Sequence, residues 1–154
     1  MEFLIADLFD KDTALSIKDK ITQDPNDWYN GKKTASGHAA DLKSNRELST
    51  DKPVYKECYD LVIKKLSNFP LFSLYSSPKY VHGVLFSRAF AGDGYGCHWD
   101  APYMGGGRNR SDLAFTIFLA DEKNYDGGEL KLYSRPNGQK IKLKAGQIII
   151  YPCN

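Results

Sequence analysis

Residues 113–120 read "LAFTIFLA". The run is apolar and aromatic almost throughout, rich in the residue types that favour strands, and too short for a core helix. It reads as a strand buried on both faces. Downstream, "GELKLYS" (128–134) alternates, with Leu130 and Leu132 on one face. "RPNG" (135–138) is a turn signal. "QKIKLK" (139–144) sets Ile141 and Leu143 against lysines, so the two runs predict a hairpin. "AGQIIIYP" (145–152) begins another buried strand, and upstream "VHGVLFSRAF" (81–90) is β-rich.

The first half reads as helix and loop. Leu15, Ile17 and Ile21 form the apolar side of a short helix after Asp12 that ends before Pro25. "DWYNGKKTASGHAADLKSN", in the 26–45 region, has no sustained period and predicts an ordered excursion with one strand. Val54, Cys58, Leu61, Val62 and Leu66 then recur at helical spacing, with Asp51 as the cap, Pro53 in the first turn, and Asn68 and Pro70 at the end. Helices first and mostly antiparallel strands second predict an α+β fold with a mainly β, sandwich or jelly-roll core. One domain spans 1–154, with 1–78 as helical support and 79–154 as the β core.

Lys+Arg 21 against Asp+Glu 19 gives no electrostatic case for nucleic acid or an anionic membrane surface. No segment reaches the roughly 18 consecutive apolar residues of a membrane span, and the acidic start "MEFLIADLFDKD" is unlike a secretory signal. Cys58, Cys97 and Cys153 have no C-x-x-C spacing, which points to free thiols in a reducing cytoplasm.

"GYGCHWD" (94–100) carries the chemistry. In an extended chain His98 and Asp100 share one face and Trp99 takes the other. Gly92, Gly94 and Gly96 permit the bend that leads in. One imidazole and one carboxylate on one strand suit adjacent corners of an octahedron. A second histidine would complete the two-His-one-carboxylate face that leaves Fe(II) three open positions. The spacing alone is weak: with 3 His and 19 acidic residues in 154 positions, chance supplies roughly 0.4 H-x-[DE] pairs. A surface histidine paired with an aspartate is the plain alternative. The glycine bend before and the buried strands after favour the metal.

Four blocks in order make the chain resemble a known family: the 26–45 excursion, "LFSRAFAGDGYGCHWD" (85–100), "RSDLAFTIFLADEKNYDGGELKL" (110–132) and "KLKAGQIIIYP" (142–152). The chain is similar to the PKHD-type hydroxylases, relatives of the prolyl 4-hydroxylases among the Fe(II)/2-oxoglutarate dioxygenases. The resemblance implies a double-stranded β-helix, a distorted jelly roll, braced by N-terminal helices. It implies hydroxylation of a C–H bond in a peptide or small-molecule substrate, with Fe(II), with 2-oxoglutarate and O₂ as co-substrates, and with ascorbate as an optional addition. By the same resemblance His98 and Asp100 are iron ligands, and Arg88, Phe90 and Phe118 lie near 2-oxoglutarate. The glycines of Asp126-Gly127-Gly128-Glu129 are structural.

The family's second histidine ligand lies shortly after a "YP" like that of "IIIYP", and an arginine for 2-oxoglutarate follows about a strand later. Asn154 precedes both positions. His38 and His82 match neither. Three explanations compete: a truncated form of a longer chain, a natural degenerate or phage-encoded short form, or strands supplied by a partner or by a second copy in a homodimer. Truncation is favoured, because without further strands "QIIIYP" would be a raw apolar edge. Arg88 could instead make a surface salt bridge, and Thr116 and Phe118 could simply pack the core. "MGGGRN", flanked by Arg110 and Asp112, is a gating loop or a plain hairpin. Trp28, Tyr29, Lys32 and Lys33 line a peptide groove or brace the barrel. Cys97 borders the iron but is not a ligand. Two rival functions remain: a non-catalytic jelly-roll binding module, and a cupin-like or hydrolytic site for another ion.

Overall fold

A computed structural model describes residues 3–133 and 138–153. The chain begins with β1 (Leu4–Asp7), α1 (Lys11–Ile21), β2 (Trp28–Asn30) and a one-turn helix α2 (His38–Asp41). Then come β3 (Lys43–Ser44), β4 (Arg46–Leu48), α3 (Pro53–Ser67) and α4 (Pro70–Ser76). Short strands β5 (Ser87–Arg88), β6 (Gly94–Tyr95), β7 (Tyr103–Met104) and β8 (Asn109–Arg110) lead to β9 (Leu113–Ile117). The hairpin β10 (Leu130–Tyr133) and β11 (Gly138–Ile141) and the long β12 (Gln147–Pro152) complete a mixed helix-and-sheet fold. Among the described residues no helix is long and apolar enough to cross a membrane.

β12 lies at the centre of the main sheet, antiparallel to β1 on one side and to β9 on the other. The raw edge expected at "QIIIYP" is therefore not there: Leu4 pairs with Ile150 and Ala6 with Ile148. The N-terminal support is also not only helical. It contributes β1 to this sheet and β2, β3 and β4 to smaller ones, where one strand was expected. Short polar strands of two or three residues carry too little alternation to be read locally.

Alternation across β12 divides the core. Ile148 and Ile150 face a cluster with Ala14, Ile17 and Ile21 of α1, Cys58, Val62 and Leu66 of α3, and Phe72 of α4. Leu113, Phe115 and Ile117 of β9 join that side. Ile149 faces the other way, onto Phe118, Leu132 and Ile141 under the β10–β11 hairpin. The helices thus brace one face of the sheet and the hairpin covers the other. That hairpin pairs Leu130 with Ile141 and Tyr133 with Gly138; the tip expected at Arg135–Asn137 lies outside the described residues.

Local signals mostly hold, with shifted boundaries. Asp10 caps α1, its carboxylate accepting from the Thr13 amide at 2.8 Å and hydroxyl at 2.7 Å. α3 starts at Pro53, but Asp51 does not cap it: Lys52 holds the cap position, and the Asp51 carboxylate binds the Ser49 hydroxyl, which lowers its pKa. Pro70 does not merely end α3; it opens α4. In "VHGVLFSRAF" only Ser87–Arg88 forms a ladder, although Val84 and Phe86 are buried. Ile149 has no exposure and touches the core on β12's hairpin side, so Ile149→Ala should cost about 2–5 kcal/mol of unfolding free energy, read from the midpoint of urea denaturation.

Candidate functional site

The bend before His98 has a definite cause. Asp93 donates its amide to Phe90 O at 2.9 Å, and Gly92 between them takes φ +87, as the third position of a type II turn requires. The Asp93 carboxylate closes the turn, accepting from the Phe90 amide at 3.0 Å and the Ser44 hydroxyl at 2.6 Å. The chain then pairs with the excursion: Lys43 stands opposite Tyr95 and Ser44 opposite Gly94. Gly96 continues the contact, donating to Leu42 O at 2.9 Å. A Cβ on Gly96 would come within 3.1 Å of the Leu42 side chain, so a larger residue here would require Leu42 to shift.

Beyond Gly96 the ladder stops, and His98–Asp100 is not a sheet strand as expected. The alternation nevertheless persists. The His98 and Asp100 side chains are 23% and 37% exposed and lie together, while Trp99 is 84% exposed. His98 Nε2 lies 3.5 Å from Asp100 Oδ1. His98 Nδ1 lies 2.7 Å from Gly96 O, a carbonyl that can only accept, so this nitrogen carries the proton. Nε2 is the nitrogen turned toward the carboxylate oxygen. The Tyr95 ring stacks on the imidazole at 3.6 Å between centroids and 15° between planes.

The donor set fits part of a metal site. Two donors about 2.1 Å from one ion and at right angles stand roughly 3 Å apart. The 3.5 Å separation is near that span, and the carbonyl-anchored Nδ1 is the usual support of a ligating histidine. Among the described residues no group of three His, Cys, Asp or Glu could hold an ion. His38 opens α2 and His82 lies near Gly105.

Asp100 also faces the end of β12. Its charge helps raise the pKa of Tyr151 and of Cys153, after burial as the larger cause in each. Tyr151 is pushed up to about 12, with a hydrogen bond to Thr116 acting in the opposite direction. Tyr151 thus lies within electrostatic reach of the carboxylate and is hydrogen-bonded to Thr116. The sequence reading assigned Tyr151 no role, although it lies two residues from Ile149 on the same strand face. Tyr95 was likewise passed over inside "GYGCHWD". For Lys43, which touches Tyr95, the sequence offers no local signal.

The other expected residues scatter. Arg88 stacks its guanidinium over Trp28 at 4.3 Å and Phe90 at 5.2 Å, and its buried Nε has no hydrogen-bond partner. Burial, then the charge of Arg46, lowers its pKa. Phe90 is exposed. Phe118 is buried among Leu132, Ile141 and Ile149, the core packing that was its alternative role. Trp28 braces, its indole donating to Ile21 O at 3.0 Å. "MGGGRN" joins the paired strands β7 and β8 as a hairpin, followed by an Arg110–Asp112 ion pair at 2.7 Å. Cys97 is exposed, Cys58 buried, and all three thiols are free.

A histidine and a carboxylate beside a two-faced β core are compatible with an oxygenase, and residues 84–154 match the 2OG-Fe(II) oxygenase superfamily. Within that class the chain belongs to the PKHD-type hydroxylases. It is 43% identical over 152 residues to a PKHD-type hydroxylase of Prochlorococcus marinus strain NATL1A, covering 99% of this chain and 68% of that protein. Against relatives from strain MIT 9303 and from Synechococcus sp. strain CC9902 the identities are 43% and 38%, with the same coverage.

The Tyr151 phenol gives a pH test. A group whose pKa is raised on folding adds stability that is whole below its unfolded value, near 10, and is lost as the pH rises through about 12. In protein without added metal, Tyr151→Phe should therefore remove roughly 2–3 kcal/mol of the fall in stability between those limits, measured by denaturation across the window.

Proposed function

We propose that this chain provides the iron-binding part of an Fe(II)- and 2-oxoglutarate-dependent dioxygenase that hydroxylates a C–H bond of a peptide or small-molecule substrate. The observation that carries the reading is the paired presentation of His98 Nε2 and Asp100 Oδ1. Family membership supplies the context. Fe(II), when bound with 2-oxoglutarate and O₂, supplies the oxidising power. His98 and Asp100 hold the ion, with the third protein ligand outside the described residues.

Each remaining part follows from the chain's own groups. The Gly96 carbonyl keeps the proton on Nδ1, so Nε2 stays basic and free to ligate. Tyr151 keeps its proton throughout the neutral range and can donate a hydrogen bond near Asp100 without adding charge. Arg88, with its unpartnered Nε, is the candidate contact for an acidic group of co-substrate or substrate, and Phe90 borders it. Exposed Trp99 and Tyr103 offer aromatic surface for a peptide. The β core is read as part of a double-stranded β-helix, and the three free thiols suit a cytoplasmic setting.

The rival reading, a jelly-roll binding module without iron, rests on the convergence of only two donors among the described residues. It requires ligand binding indifferent to chelators. Anaerobic addition of Fe(II) and 2-oxoglutarate should produce a visible charge-transfer band, and His98→Ala should abolish it. A gene product spanning the full length of its relatives that showed neither the band nor 2-oxoglutarate turnover would remove the enzyme reading.

A further inference from the structure

Lys43 and Glu47 are the buried charged residues of the described chain, at 5% and 1% exposure. Their ion pair closes at 2.5 Å. Apolar side chains of similar volume often serve stability as well as a buried pair, so stability alone is a weak explanation of one. The network is also complete. Glu47 accepts from Lys43, from the Thr34 hydroxyl at 2.8 Å and from the Tyr29 hydroxyl at 3.2 Å. The Lys43 ammonium donates to Thr34 Oγ1 at 2.8 Å as well as to Glu47. Its further contact is the Tyr95 ring, whose centroid lies 5.0 Å away.

That ring is the one stacked on His98. We infer that Lys43, anchored on Glu47, is a positioning residue for His98, acting through the Tyr95 ring. The inference rests on the iron reading given above and extends it from the ligand to what aims the ligand. Two contacts set the imidazole. The Gly96 carbonyl fixes which nitrogen is protonated, and the Tyr95 face fixes the plane of the ring. Both hang from one short segment of the excursion, since Leu42 O receives the Gly96 amide and Lys43 pairs with Tyr95. A cation on an aromatic face holds the ring by attraction to its quadrupole, more strongly when desolvated. Because Glu47 neutralises the ammonium, Lys43 does this without placing net positive charge beside a site meant for a dication.

The test uses the whole chain, with Co(II) as the metal probe and no turnover. Lys43→Met combined with Glu47→Gln removes both charges and leaves no orphan ion. This variant should bind Co(II) 10–100-fold more weakly, the usual loss when support behind a ligand is removed. Tyr95→Leu should do the same, and Tyr95→Phe, which keeps the stack, should retain affinity. The metal-free chain gives an independent reading. Stacking on Tyr95 shifts the His98 ring-proton resonances upfield. That shift should vanish in the double variant and in Tyr95→Leu and persist in Tyr95→Phe.

A folded double variant with unchanged Co(II) affinity and an unmoved His98 resonance overturns the inference. If the double variant does not fold, unchanged affinity and resonance in Tyr95→Leu overturn it instead. If a gene product spanning the full length of its relatives fails to take up Co(II), the iron reading falls, and the resonance in the metal-free chain still decides whether Lys43 orients His98.

Discussion

Everything in this fold leans on β12. Ile148, Ile149 and Ile150 are almost without exposure, and they face alternately toward the helices and toward the hairpin. A strand buried on both faces and hydrogen-bonded on both edges has no freedom of register, because a slip of one residue would exchange its two apolar faces. β1 and β9 inherit that register. So does the position of Tyr151, which follows Ile149 onto the inner face and reaches the neighbourhood of Asp100.

The site is built differently. His98 and Asp100 belong to no ladder; they hang from a turn closed by Gly92 and Asp93. Their placement comes from two sides. On one side Tyr151 of β12, bonded to Thr116 of β9, lies within electrostatic reach of Asp100, and on the other the excursion at Leu42–Ser44 provides a wall through backbone bonds and ring stacking. The rigid sheet and the polar wall are thus separate supports for one pair of donors. Removing side chains from the sheet would loosen the whole fold, whereas altering the wall changes the aim of an imidazole.

How much of this could be read from the sequence depended on period. Strands with apolar alternation, such as "GELKLYS" and "QKIKLK", and the stripe of α3 are visible locally because burial imposes their spacing. The H-x-D pair was legible as chemistry, and its two side chains do meet. The partner of β12 was not legible. "LIAD" is four residues of ordinary composition, and only tertiary pairing makes it an edge cover. The Lys43–Glu47 pair was hidden for a related reason: a lysine in a polar loop reads as solvated, and its burial is decided by Thr34, Tyr29 and Tyr95 from elsewhere in the chain. For Phe118 the sequence left two roles open, near a co-substrate or in the core, and the pleat packs it against Ile149.

The pairing of Leu4–Asp7 with Gln147–Pro152 has a consequence for biosynthesis. Leu4–Asp7 is synthesised long before the strand it pairs with. Until β12 emerges β1 must wait, with its backbone groups open, while α1 and α3 have already been made. Contacts of such long sequence separation form late and slowly. Early in its life the chain is therefore a set of amphipathic helices with an unclaimed strand, the condition in which nascent proteins meet chaperones or exchange strands with a second copy.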